Sequence, residues 1–218
     1  MKTIDKKIIL LLALLVGLST QNLMAQSSLT IDASQVFSTF SFNDTQSPKN
    51  INLFGTADYN TTISGAYSLG YRLDKESGLI ARGSLGMRRS GASTIIDQTN
   101  YQWDFQYIEL KAGAGYKISP TDKLGIYMTL SPYLGYLLTA NQRLDNEDFD
   151  IKKSGDIKKM DLGLHTAPGV IFNVNEFVSL FGEFDYMVGL KNLETATTDQ
   201  KSYNIAYAMT LGLAFTIQ

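Results

Sequence analysis

The 218 residues include no cysteine, four prolines, one histidine and one tryptophan, and only 18% are charged. Without cysteine there is no disulfide bond, no thiolate metal site and no N-terminal lipid attachment through sulfur. A net charge of -2 gives no electrostatic basis for binding nucleic acid. Long helical periodicity is missing, and no apolar run approaches the roughly twenty residues of a membrane-spanning helix. The longest run, Ile8 to Leu18, follows Lys2, Lys6 and Lys7 and precedes polar Ser19–Asn22 and small Ala25. This order predicts a cleaved secretory signal peptide over 1–25. Its removal takes three Lys and one Asp, so the net charge of -2 becomes -4 for a single domain over 26–218.

What the chain does have is alternation. From Tyr203 to the end, Tyr203, Ile205, Tyr207, Met209, Leu211, Leu213, Phe215 and Ile217 form one face, and Asn204, Ala206, Ala208, Thr210, Gly212, Ala214 and Thr216 the other. A period of two over that length predicts a strand with one face in an apolar medium, long enough for the about nine to eleven residues of a membrane crossing. Thr210, Gly212, Phe215 and Ile217 resemble the C-terminal signal by which outer-membrane barrels reach their assembly machinery, although Gln218 rather than an aromatic stands last.

Seven further alternating segments precede this one. Leu29, Ile31 and Ala33 share one phase and Val36, Phe40 and Phe42 the other, which predicts a bulge near Gln35. In the fourth segment Tyr101, Trp103, Phe105 and Tyr107 share a phase and Ile108, Leu110 and Ala112 take the opposite one, predicting a second bulge at Tyr107–Ile108. Connections near Lys75, Pro120 and Asn175 read as short, and those near Lys49, Thr94, Phe149 and Thr197 as long loops. The layout predicts an all-β, eight-stranded antiparallel up-and-down transmembrane β-barrel with short periplasmic turns and longer outward loops.

A lipocalin-like soluble barrel has the same strand count, so the polar face decides. Arg82, Arg88, Asp104, Glu109, Lys111, Lys117, Asp161, His165, Glu183 and Asp185 stand among many Gly, Ala and Ser, as a narrow lumen of paired charges requires. Aromatics gather at strand ends. Tyr101, Trp103, Tyr136 and Tyr203 mark an outer girdle, and Tyr71, Tyr116, Phe172 and Phe215 an inner one.

The whole mature chain resembles the small outer-membrane β-barrel domain family that includes PorT-like proteins. The resemblance runs through Ile63–Tyr71, Asn146–Lys153, Ala167–Val170 and the final strand. It implies residence in the cell outer membrane, contact with outer-membrane lipid and with the barrel-assembly machinery, and an envelope protein partner; PorT-like members are associated with a secretion system.

Chemistry is sparsely signalled. The acidic run Asp145–Asp150 lacks the glycine and spacing of a calcium loop and reads as a solvated loop salted to nearby lysines. His165 raises the alternative of a lipid-modifying barrel enzyme, but the charged lumen leaves no apolar space for an acyl chain, and no cofactor is expected. Pro132 and Pro168 interrupt two strands and suggest a kink or, more boldly, a lateral opening. The function expected is that of a non-enzymatic, monomeric barrel with a side-chain-filled lumen, since eight strands enclose little more than side chains.

Overall fold

The computed structural model describes residues 25–43, 59–96, 98–145, 147–155, 157–195 and 201–217. The expected signal peptide lies outside them except for Ala25, as does the Lys49 loop. The strands are β1 (Ala25–Asn43), β2 (Asn60–Lys75), β3 (Leu79–Ile96), β4 (Thr99–Ile118), β5 (Leu124–Leu144), β6 (Glu147–Asp150), β7 (Met160–Asn173), β8 (Val178–Gly189) and β9 (Lys201–Ile217), with one helical turn, α1 (Ile151–Ser154). Their order is β4-β3-β2-β1-β9-β8-β7-β5, every neighbour antiparallel, and β4–β5 pairing closes the ring. Eight strands therefore build the wall, and β6 is a short ninth that pairs only with the end of β5.

The ring is staggered. Following partners Lys117–Tyr127–Gly169–Glu183–Thr210–Ser34–Ala66–Arg88–Tyr107 returns to β4 ten residues from the start, at 107 against 117. Such a displacement sets the strand tilt that closure requires.

Three short turns share one end. Gly78, at φ 87, permits the left-handed turn in which its amide donates to the Lys75 carbonyl at 2.9 Å. The Leu124 amide donates to Thr121 Oγ1 at 3.0 Å, and Asn175 Oδ1 accepts from the amides of Phe177 and Val178. At the other end the strands run on, so the long loop expected near Thr94 is corrected: β3 and β4 continue in register up to Ile96–Thr99. The Phe149 loop likewise holds β6 and α1. Asp150 caps α1 by accepting from the Lys153 amide, and Gly155 ends it at φ 82.

Both predicted bulges are also corrected. β1 pairs without a register shift through Gln35, with Val36 and Phe40 facing inward. β4 keeps one phase throughout: Phe105, Tyr107 and Glu109 are buried inside, Asp104, Ile108 and Leu110 lie outside, and the extra residue is Leu138 on β5, between Tyr107↔Leu137 and Gln106↔Thr139. The wall does have an irregularity in β2, between Thr61 and Ala66.

The expectation failed because the medium changes along β4. Outward residues from Ile108 to Ile118 on β4, and from Leu124 to Tyr136 on β5, are apolar, about the length a tilted strand needs to cross a bilayer. Above them the outward residues turn polar, with Gln106, Asp104 and Gln102 on β4, Thr139, Asn141 and Arg143 on β5, and Arg89 after Met87 on β3. There the interior becomes apolar instead: Phe40, Ala92, Phe105, Tyr107, Leu137, Ala140 and Leu193 form one buried cluster, against which Tyr59, Trp103, Ile151 and Ile157 pack.

At membrane depth, lumen aromatics lie across glycines of the next strand. A Cβ on Gly163 would stand 2.5 Å from the Tyr133 ring and 2.3 Å from the Val188 carbonyl oxygen, and one on Gly212 would stand 2.3 Å from the Phe181 ring. Gly163→Ala is expected to destabilise the barrel by about 1–3 kcal/mol, whereas Gly65→Ala, whose Cβ meets nothing closer than 3.7 Å, stays near neutral. Urea unfolding in detergent micelles, followed by the shift between folded and unfolded bands on gels, measures both.

Candidate functional site: the charged lumen

The alternation that turns apolar residues outward turns the charges inward, and the ring brings distant ones together. Nearest the short turns, Arg72 Nε lies 2.7 Å from Asp74 Oδ1, Lys117 Nζ lies 2.5 Å from Asp74 Oδ2, and the Arg72 guanidinium sits 4.4 Å over the Tyr127 ring. One step further in, Arg82 pairs with Glu183 across the lumen at 2.5 Å, and Glu183 also accepts from Tyr127 Oη at 2.8 Å. Asp32 accepts from Ser68 Oγ at 2.7 Å.

Next comes the most buried layer. Arg88 donates to Glu109 at 2.8 Å and lies 3.4 Å from Asp161, between the rings of Tyr107 and Tyr133. Asp161 Oδ2 also accepts from Asn204 at 2.8 Å and Tyr133 at 3.2 Å. His165 Nε2 lies 3.2 Å from Asp185 Oδ1, and Thr210 Oγ1 donates to Asp185 and lies 2.7 Å from Ser34 Oγ, so a polar chain crosses β7, β8, β9 and β1. Lys111 Nζ lies 4.0 Å from Glu109. Among the described residues no group of three His, Cys, Asp or Glu is placed to hold a metal ion.

Of the ten lumen residues named from sequence, nine face inward and are brought into this network. Asp104 is the exception and a correction: it is exposed on the outer wall of β4, above the apolar band. Arg72, Asp74 and Asp32 were missed as network members, although their even-numbered positions on β1 and β2 share the inward phase.

The girdles need a similar correction. Tyr71, Tyr116, Phe172 and Phe215 lie exposed on the outer wall near the short turns, and Tyr136 is exposed near the upper edge of the apolar band, with Tyr203 half-buried on the same outward phase. Tyr101 and Trp103 do not belong with them. Their rings stack at 6.1 Å, and Trp103 meets Phe40 at 6.4 Å, at the mouth of the interior. Tyr186 and Tyr207, 5.1 Å apart on the outward phase, occupy the upper wall instead. Thr210 and Gly212 of the C-terminal pattern point inward, and Phe215 and Ile217 outward, all on β9.

The two prolines do not face each other: Pro132 is opposite Leu164, and Pro168 opposite Met128. Each interrupts pairing on its other side only. β4–β5 pairs stop at Lys111–Tyr133 and resume at Ala114–Leu130, and β7–β8 pairs stop at Thr166–Tyr186 and resume at Gly169–Glu183, both in unchanged register. A Cβ on Gly113 would stand 2.2 Å from the Leu130 carbonyl oxygen, so the first gap is a missing donor in a closed wall, not an opening.

The family model for the outer membrane protein beta-barrel domain matches residues 21–194. The chain belongs to this family. No curated protein matches it. Among solved structures it is similar to Neisserial surface protein A, with 13% identity and a TM-score of 0.53 over 89% of this chain and 99% of that one. It is similar also to a major outer membrane protein from Thermus thermophilus, with 13% identity and a TM-score of 0.52 over 88% and 99%. At such identity the likeness is one of fold. The barrel resides in the outer membrane, with its short turns at the periplasmic end.

In this setting the ion pairs hold the wall from within. Arg82→Leu strands Glu183 in the lumen and is expected to cost about 3–5 kcal/mol, and adding Glu183→Gln should recover part of that loss. Unfolding midpoints of the wild type, the single and the double variant in micelles check the order.

Proposed function

We propose that the protein is a non-enzymatic, monomeric outer-membrane barrel whose lumen is plugged by its own side chains and whose outer extension meets the environment or an envelope partner. The carrying observation is the two-part filling: the Arg88–Glu109–Asp161 layer lies under the apolar cluster that Leu193 closes from above. Leu193 is pinned there, its carbonyl accepting from the Lys158 amide at 2.7 Å and its amide donating to the Ser202 carbonyl at 2.9 Å. His165, 2% exposed, is held beside Asp185, 3.2 Å away, which supports a structural role over a lipid-modifying one.

Above the bilayer, β3, β4, β5 and β6 continue as a projecting antiparallel sheet. Its exposed rim carries Asp104, Arg143, Glu147, Asp148 and Phe149, a surface suited to a protein partner. Such a partner is where a PorT-like part in secretion would enter, a second reading that rests on the sequence resemblance. Phe215 and Ile217, outward on the last strand, are the side chains the assembly machinery would read.

Planar-bilayer recordings are expected to show no steady conductance, and photo-crosslinkers at Asp104 and Phe149 in native membranes to give one specific product. A steady pore would overturn the plug, and a secretion-machine subunit in the product would favour the second reading.

The projecting hairpin also has an acid limit. Arg143 donates to Asp148 at 2.7 Å, and this hydrogen bond holds the exposed carboxyl below its ordinary value of 3.8. The tie is complete above that value and is lost as pH falls through the lowered one. The protection of the Asn141–Leu144 amides, measured against their intrinsic exchange at the same pH, should therefore fall on strong acidification, and Asp148→Asn should abolish that step.

A further inference from the structure

The outer rim of the wall is not the same all the way round. On the β3–β4–β5 side the strands run on into the projecting sheet, whereas β7, β8 and β9 end beside their last apolar outward residues, Met160, Leu190 and Tyr203. Lysine follows on each of these strands. The Lys159 carbonyl accepts from the Leu137 amide at 2.8 Å, one residue beyond the Tyr136–Met160 pair at the upper edge of the apolar band. Lys191 comes directly after Leu190, whose amide donates to the Leu162 carbonyl at 2.7 Å. Leu193 joins the remaining two, bonded on one side to Lys158 and on the other to Ser202, the neighbour of Lys201. Lys159, Lys191 and Lys201 are exposed, and Lys158 is half-buried.

Of the lysines that follow the acidic run, only Lys153 pairs with it, 3.0 Å from Asp150. Lys152 instead donates to the Leu138 carbonyl, beside Lys159, and Asp148 is held by Arg143. Among the described residues no carboxylate forms an ion pair with Lys158, Lys159, Lys191 or Lys201. Glu194, next along the chain from Lys191, accepts from Ser202 Oγ at 2.6 Å. The periplasmic edge is of mixed sign, since Lys75 adjoins Glu76 and Lys123 adjoins Asp122. The outer arc is cationic, on a chain whose net charge is -2.

We propose that the arc from Lys158 to Lys201 docks the phosphate-bearing headgroup of an outer-leaflet lipid, whose acyl chains lie on the apolar wall of β7, β8 and β9 below it. The arc stands at the height where the apolar band ends, and long lysine stems carry their ammonium groups from that edge into the headgroup layer. An ammonium with three rotatable donors is a point-charge partner for phosphate. The lysines adjoin the apolar wall directly, so one molecule carrying both phosphate and acyl chains meets both surfaces at once. The site lies on the outer wall and does not depend on what fills the lumen.

The probe is a bis-phosphorylated glucosamine disaccharide lipid, titrated into nanodiscs of neutral phosphatidylcholine that hold the folded protein, with bound lipid counted by native mass spectrometry. Lys159→Gln combined with Lys191→Gln removes two charges from the arc. Lys75→Gln combined with Lys123→Gln removes two from the periplasmic edge, and gel shift verifies the folding of both. The expected result is saturable binding to the wild type that weakens about thirtyfold in K159Q/K191Q, is unchanged in K75Q/K123Q, and disappears when the probe carries no phosphate. Equal binding of the phosphate-free lipid to the wild type overturns the site, with no variant needed. Equal loss in the two double variants assigns the effect to net charge and overturns it as well. Neither result bears on the plug, which the bilayer recordings test separately.

Discussion

In a bilayer the peptide groups of a strand have no water to bond with, and only a closed ladder satisfies them all. Every other feature of this chain answers to that closure. It demands the stagger that returns β4 to itself ten residues displaced, at 107 against 117. It explains why each proline costs pairing on one side while the register continues unbroken, because a slip would turn a whole strand inside out. It also makes the interior narrow, so that rings of Tyr133 and Phe181 must lie against the bare backbone of Gly163 and Gly212.

Closure does not say what each face should be made of; the surroundings do, and they change along the axis. Beside lipid the wall is apolar outside, and inside it holds the ion pairs between buried side chains such as Ile80, Tyr127, Tyr133 and Phe181. Above Ile108 and Tyr136 water replaces lipid, and the barrel takes the ordinary arrangement of a soluble protein, polar outside and apolar within. Tyr107 and Phe105 follow Glu109 on one inward face, although one is an ion-layer neighbour and the other core of the outer cap.

That reversal marks the limit of what the residues reveal by themselves. The eight-stranded barrel, the short turns and the final strand are legible because period-two alternation is a local signal. On β4 the same signal misleads: apolar Tyr101, Trp103, Phe105 and Tyr107 look lipid-facing, and Asp104 looks lumenal, because the pattern inverts when the medium does while the strand runs straight. A register slip and a change of solvent leave the same trace in sequence. The ion pairs are illegible for another reason. Arg82 and Glu183 are 101 residues apart, and Arg88 chooses Glu109 and Asp161 through the stagger of the ring. Phase predicts which residues face inward, and only the closed ring tells which of them meet.

A lumen of charges looks wasteful, since apolar side chains of equal volume fill space with less desolvation. Yet an apolar lumen would leave both faces of each strand greasy at membrane depth, and nothing would distinguish the inside from the outside. A charge on the lipid face of a strand is costly near the bilayer midplane, so each of Asp32, Arg82, Lys111, Glu183 and Asp185 forbids its strand the inverted register. Above the membrane the constraint lapses, because water on the outer wall favours polar residues there and the apolar cluster specifies the inside. The buried ion pairs therefore stand where lipid surrounds the wall, packed among apolar side chains, and above it the Phe40–Phe105–Leu193 cluster fills the interior without them.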